Sequence, residues 1–200
     1  MRRRHLLTAA PALAAALVLS ACTPGPDAAP TAPSTAPAAI DAAALLAPFD
    51  LTGRDGRELV DHLETLGGDD RPSELMASVR TDHLLLTTDA GEATLPLPAD
   101  LFYVSVAPFA ETTHECFYHS LTTCQGELVD TPVTLTVTDG DGTVVHTAET
   151  RTGANGFVGT WLPRGTTGTL SVTTEDGRTG QVNLGTSDDD PTCVTTLRVA

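Results

Sequence analysis

Hydrophobic and polar positions change period along this chain. An apolar run from Ala9 to Leu19 comes first, then a polar stretch rich in Pro, Ala, Thr and Ser from Thr23 to Ala39. Residues 40–80 read as helical. Asp55 with Glu58 three residues on marks a helix start. Leu59, Leu63 and Leu66 then follow at i, i+4 and i+7 on one face, until Gly67-Gly68 ends the pattern. Pro72-Ser73-Glu74 predicts a second, shorter helix running to about Val79. From Leu84 the period becomes two. "HLLLTTDAGEATLPLP" predicts a hairpin around Asp89-Ala90-Gly91, and "LFYVSVAPF" (Leu101 to Phe109) a strand with Phe102, Val104 and Val106 on one face. After Asp130, Val133, Leu135 and Val137 alternate up to the turn Asp139-Gly140-Asp141-Gly142, and "TVVHTAET" returns. "GFVGTWLPRG", "GTLSVTTEDGRTGQVNL" and "CVTTLRV" add short strands at regular spacing.

These elements predict an α+β chain. A short N-terminal helical region with a hairpin precedes a C-terminal β-sandwich of prealbumin-like or immunoglobulin-like kind. The strand and turn order looks like the prealbumin-like sandwich of carboxypeptidase regulatory modules, a likeness of fold that carries no activity. Trp161 is expected in the core of that sandwich. The expected division is 1–21 signal, 22–39 tether, 40–110 helical and β region, and 111–200 sandwich.

Arg2-Arg3-Arg4 before the apolar run reads as a secretory signal, too short to span a bilayer as a mature helix. Leu19-Ser20-Ala21-Cys22 resembles a bacterial lipobox, which makes Cys22 the expected site of lipid attachment. Two or more acyl chains anchor stably where one does not. The residues that follow would be an extended tether. Signal cleavage leaves 8 Arg against 26 Asp+Glu, a net charge of −18, and lysine is absent throughout. Such a polyanion does not hold nucleic acid, which needs phosphate-neutralising cations. Nor does it use a basic patch on anionic lipid, so membrane association is expected through the lipid anchor only.

Candidate chemistry concentrates in "HECFYHSLTTC", His114 to Cys124. A zinc protease needs H-E-x-x-H, with histidines four apart on one helical face. His114 and His119 are five apart, and at about 100° per residue their rings would point roughly 140° apart on a helix. There is no G-x-S-x-G elbow, P-loop or G-x-G-x-x-G. Ser120 beside His119 is no nucleophile–base pair, since adjacent side chains diverge. Asp139-Gly-Asp-Gly lacks the further ligands of a calcium loop, and Asp188-Asp189-Asp190 reads as a solvated loop. No enzymatic activity is expected.

The cysteines remain: Cys22, Cys116, Cys124 and Cys193. With Cys22 lipidated, three are left, an odd number that cannot all pair within one chain. One reading is a Cys116–Cys124 disulfide in a surface-anchored structural sandwich with no metal role. The other gathers three thiols on one metal ion. A thioredoxin-type redox cysteine is disfavoured, with no C-x-x-C and no Arg between Arg80 and Arg151 to favour a thiolate. Three thiolates select Cu(I) or Zn(II) over hard cations. Zinc would take a fourth ligand, His114 or His119. Met76 is the single methionine beyond the start residue, so a methionine-rich copper site is excluded. The residue types alone leave copper and zinc open.

"THECFYHSLTTCQGEL" (Thr113 to Leu128), "NGFVGTWLPRG" (Asn155 to Gly165) and "DDPTCVTTLRV" (Asp189 to Val199) closely resemble the CueP family of periplasmic copper-binding proteins. "SVAPF" (Ser105 to Phe109) and "RPSELMASVR" (Arg71 to Arg80) also fit, so the likeness runs from about Phe49 to the C-terminus. The resemblance implies that Cys116, Cys124 and Cys193 bind copper. Three thiolates would hold it as Cu(I), with His114 and His119 nearby as secondary ligands or entry groups for Cu(II). It implies an extracytoplasmic protein that contributes to copper resistance and supplies Cu/Zn superoxide dismutase, and a homodimer. The tether and lipobox look foreign to soluble periplasmic members and suggest display on the outer face of a membrane.

Overall fold

The computed structural model describes residues 40–200. The signal segment, Cys22 and the Pro/Ala-rich tether lie outside the described residues. Two short helices open the fold, α1 (Ala42–Leu46) and α2 (Gly56–Glu64). Asp55 caps α2 with a reciprocal box: its carboxylate accepts from Glu58 N at 2.8 Å, and the Glu58 carboxylate accepts from Asp55 N at 3.0 Å. Leu59, Val60 and Leu63 are fully buried, as the helical spacing requires. α2 ends at Glu64, before the glycine pair.

Ten strands follow. The first sheet is β1 (Met76–Val79), β2 (His83–Thr88) and β3 (Gly91–Pro96), antiparallel in that order. β1 corrects the expected second helix. Leu75, Ala77 and Val79 are buried at period two. One edge of β1 pairs with β2, Ala77 opposite Leu86. The other edge takes the loop after β4 (Leu101–Val106), through Val79 N to His119 O at 2.8 Å and Leu121 N to Ala77 O at 2.9 Å. With both edges satisfied by distant segments, local helix signals are overridden.

β4 pairs antiparallel with β7 (Val158–Pro163) and parallel with β10 (Cys193–Val194), making the second sheet. The third sheet is β6-β5-β8-β9, from β5 (Pro132–Asp139), β6 (Val144–Arg151), β8 (Thr167–Thr174) and β9 (Thr179–Gly185). Phe102, Val104 and Val106 of β4 pack with Leu135, Val137, Leu170 and Val172, so the second and third sheets form a sandwich. The β5–β6 turn is a hairpin turn, as expected. Asp139 Oδ1 accepts from Asp141 N at 3.0 Å and Thr143 N at 2.8 Å, which occupies the carboxylate locally.

The opposite face of β4 turns toward the helices. Tyr103 joins the core of α1, α2 and the first sheet, with Leu121 from the loop. The described residues fall within one compact unit, and β4 pairs with β7 from the later part of the chain. Trp161 is a second correction. It is only half-buried on β7 and stacks on Tyr103, ring centroids 4.9 Å apart. Its Nε1 donates to Asp61 of α2 at 2.7 Å. The indole needs a partner for its N–H, and the sandwich core has none to offer.

Leu121 is fully buried and ties the cysteine loop to the helical core. Leu121→Ala is expected to cost about 2–5 kcal/mol, the usual range for a buried leucine. Urea unfolding measures it, and a loss near zero would mean that the loop is not packed there.

Candidate metal centre

The loop between β4 and β5 is held at three points. At its start the Glu127 carboxylate accepts from Ala110 N, Glu111 N and Thr112 N at 3.1, 3.0 and 2.8 Å. Those bonds hold its pKa below the ordinary carboxylate value. In the middle, His119 N donates to Thr192 Oγ1 at 3.0 Å, and that hydroxyl donates to Val79 O at 2.7 Å. Beside it, Cys193 N donates to Phe117 O at 3.1 Å. Thr192 and Cys193 thus bring the start of β10 against the loop. Ser120 to Cys124 then closes a turn, with Cys124 N donating to Ser120 O at 3.1 Å.

These contacts gather the donor atoms. Cys116 and Cys124 Sγ lie 3.6 Å apart and are unbonded, a disulfide being about 2.05 Å. Cys193 Sγ lies 3.7 Å from His119 Nδ1. Two sets have all their donor atoms within 4.8 Å of one another: His114, Cys116 and Cys124, and His119, Cys124 and Cys193. Cys124 belongs to both. All three free thiols and both expected histidines therefore meet around one sulfur.

Burial and charge differ across the group. His114 is exposed, whereas Cys116 and Cys124 are half-buried. His119 and Cys193 are inside, at 0% and 2% exposure. His119 packs on Phe157, ring centroids 4.5 Å apart. Its Nε2 bonds Glu64 Oε2 at 2.9 Å. Glu64 Oε1 in turn accepts from Ser105 Oγ at 2.6 Å, and Asn155 Nδ2 donates to Glu64 O at 3.3 Å.

Burial disfavours both charged partners, but their attraction wins. His119 rises to about 9, helped also by Cys124, and Glu64 falls below its ordinary value. Among the thiols, hydrogen bonds from Cys116 and Cys193 push Cys124 down, with His119 adding to the effect. Cys116 rises to about 11, chiefly through its contact with Cys124, and Cys193 also rises, through Cys116 first, then Cys124 and its burial. A thiol with a depressed pKa beside two raised thiols and a raised imidazole is a soft donor set ready to exchange protons for a metal ion.

Glu64, Ser105, Asn155 and Arg71 escape a reading of motifs. Glu64 had a signal: it stands four residues after the buried Val60, on the edge of the apolar face. Arg71 supplies positive charge near Cys124 and Glu64, despite the absence of arginine in the loop's own stretch.

Three thiols and two imidazoles converging at the edge of a β-sandwich define a soft-metal-binding protein. The donor types fit copper, and the comparisons agree. The family described as "Periplasmic copper-binding protein CueP" matches residues 58–198. A crystal structure of S.CueP superposes with a TM-score of 0.74 at 40% identity, covering 79% of this chain and 96% of that one. No curated protein matches the chain. The chain belongs to the CueP family of periplasmic copper-binding proteins. Among the described residues no helix is long and apolar enough to cross a membrane.

The buried pair makes the metal-free, reduced protein sensitive to pH. His119, raised from 6.5 to about 9, contributes stability that is complete below 6.5 and lost as pH rises through 9. Glu64, lowered from 4.5, contributes stability present above 4.5 and lost as pH falls below it. The difference in thermal midpoint between wild type and His119→Gln should be largest between those limits and shrink above pH 9. A difference that does not vary with pH would contradict the pairing.

Proposed function

We propose that this chain captures copper outside the cytoplasm and holds it as Cu(I) through Cys116, Cys124 and Cys193. The observation that carries this reading is the convergence of three free thiols on Cys124, with Cys116 Sγ 3.6 Å away. Three sulfurs match Cu(I), which is satisfied by two or three soft ligands, better than any hard cation. Met76 is a surface residue of β1, and sulfur ligation accordingly falls to the cysteines.

The role is binding rather than turnover. It serves copper resistance and passes copper to an acceptor such as Cu/Zn superoxide dismutase. Cys22 would carry the lipid that keeps the protein on the outer face of a membrane, and two copies would associate. Thiol reduction of Cu(II) is stoichiometric at most. Joining Cys116 to Cys124 as a disulfide releases two protons and two electrons, which convert two Cu(II) to two Cu(I). That step consumes two of the three ligands, so retention favours copper that arrives already reduced.

A second reading, zinc on three cysteines and a histidine, draws support from His119 Nδ1 at 3.7 Å from Cys193 Sγ. Competition separates the two: Cu(I) should displace bound zinc completely at equal concentrations, and retained zinc would favour the second reading. For the copper reading, Cys193→Ser should weaken Cu(I) binding by at least the roughly 10–100-fold seen when a ligand loses its supporting partner. Chelator competition measures this, and an unchanged affinity and stoichiometry would rule out Cys193 as a copper ligand.

A further inference from the structure

The donor atoms do not form one symmetric cup. They fall into two sets that overlap only at Cys124, and Cys116 and Cys193 share neither set. The surroundings of the two sets differ. His114 and Cys116 line a cleft of about 490 Å³ with Phe109, Thr113, Glu115 and Thr195. His114 and Cys116 form the more open side of this set, with Cys124 at its inner end. The His114 ring has only a loose aromatic neighbour, Phe157 at 6.2 Å. The second set lies beneath it. His119 and Cys193 are buried, and Cys193 is fixed in β10 against Ser105 of β4.

The two histidines are also prepared differently. Glu64 engages Nε2 of His119 and leaves Nδ1 facing the Cys193 sulfur. Glu64 is itself held by Ser105 and Asn155. A carboxylate behind an imidazole orients the opposite ring nitrogen toward a metal. Among the described residues no carboxylate is bonded to the His114 ring.

Resting on the copper reading, we propose that the three thiols act in succession, the ion passing between two stations that pivot on Cys124. It is captured at His114, Cys116 and Cys124, and retained at Cys124, Cys193 and His119, with Glu64 as the residue that positions His119. Copper stays Cu(I) throughout and stays bound to Cys124. His119 and Cys193 join as His114 and Cys116 leave. The arriving Cys193 thiol and His119 Nδ1–H give their protons to water, and the departing Cys116 thiolate takes one of the two up. Sharing a sulfur means the ion is never released between stations. Cys116 then serves capture, Cys193 retention, and Cys124 both.

The test uses reduced full-length protein and Cu(I) presented as its bicinchoninate complex. Stopped-flow exchange gives capture and release rates, and X-ray absorption at the copper edge gives the ligands. His114→Ala should slow capture and release together, several-fold, because it removes a step common to both directions. Glu64→Gln should capture at the wild-type rate but release faster, weakening retention by about 10–100-fold. The nitrogen ligand of the loaded protein should survive His114→Ala and vanish in His119→Ala.

The two-station account is overturned if Glu64→Gln slows capture, if His114→Ala leaves capture at the wild-type rate, or if the nitrogen ligand survives His119→Ala. Should Glu64→Gln fail to fold by circular dichroism, Cys193→Ser decides instead: fast release after normal capture supports the proposal, and slowed capture overturns it. If wild type retains no more Cu(I) than the triple Cys→Ser variant, the copper reading itself falls. If wild type retains copper but the variants do not separate, only the stations fall.

Discussion

A buried carboxylate meeting a buried imidazole is the constraint on which the site depends. Glu64 is the last residue of α2, where the helix dipole disfavours a negative charge. It sits there because His119, Ser105 and Asn155 surround it. Either charge alone in that position would be strongly destabilising, and the pair is tolerated because its remaining hydrogen-bonding atoms are also satisfied. The pair joins the helical region to the cysteine loop across 55 residues of sequence. Ser105 adds β4, and through β4 the sandwich. The position of His119 is thus set by the whole fold rather than by its loop.

Much of this was legible in local pattern. The Asp55–Glu58 box and the 59/63 spacing place α2, and alternation with Gly-containing turns places the hairpins. These signals act over a few residues and survive packing. Three features fail locally. Met76–Val79 has helix-start signals but becomes a strand because β2 and the His119 loop occupy its two edges. Trp161 looks like sandwich core but turns to Asp61, the partner its N–H requires. Arg71 comes near Cys124 only through the fold, so a count of arginines along the loop misses it.

The site follows the same rule. Cysteine arithmetic and soft-metal chemistry single out Cys116, Cys124 and Cys193, and the fold brings them together around Cys124. What arithmetic leaves out is the asymmetry: one thiol pushed down, two pushed up, one exposed imidazole and one buried imidazole held by a carboxylate. That asymmetry arises from burial and hydrogen bonding, which no spacing encodes. The protein's strong acidity does not set it either. The charged groups beside the sulfurs are His119 and Arg71, with Glu64 acting through His119, all within the packed unit.

The central claim is that these three thiols are a copper site in the cell. Metal analysis of the protein purified without added metal from copper-supplied cells tests it most directly, beside its triple Cys116→Ser, Cys124→Ser, Cys193→Ser variant. The account predicts copper in near-stoichiometric amount in the wild type and none above background in the variant. Equal copper in both, or a wild type free of copper with its thiols intact, would contradict it.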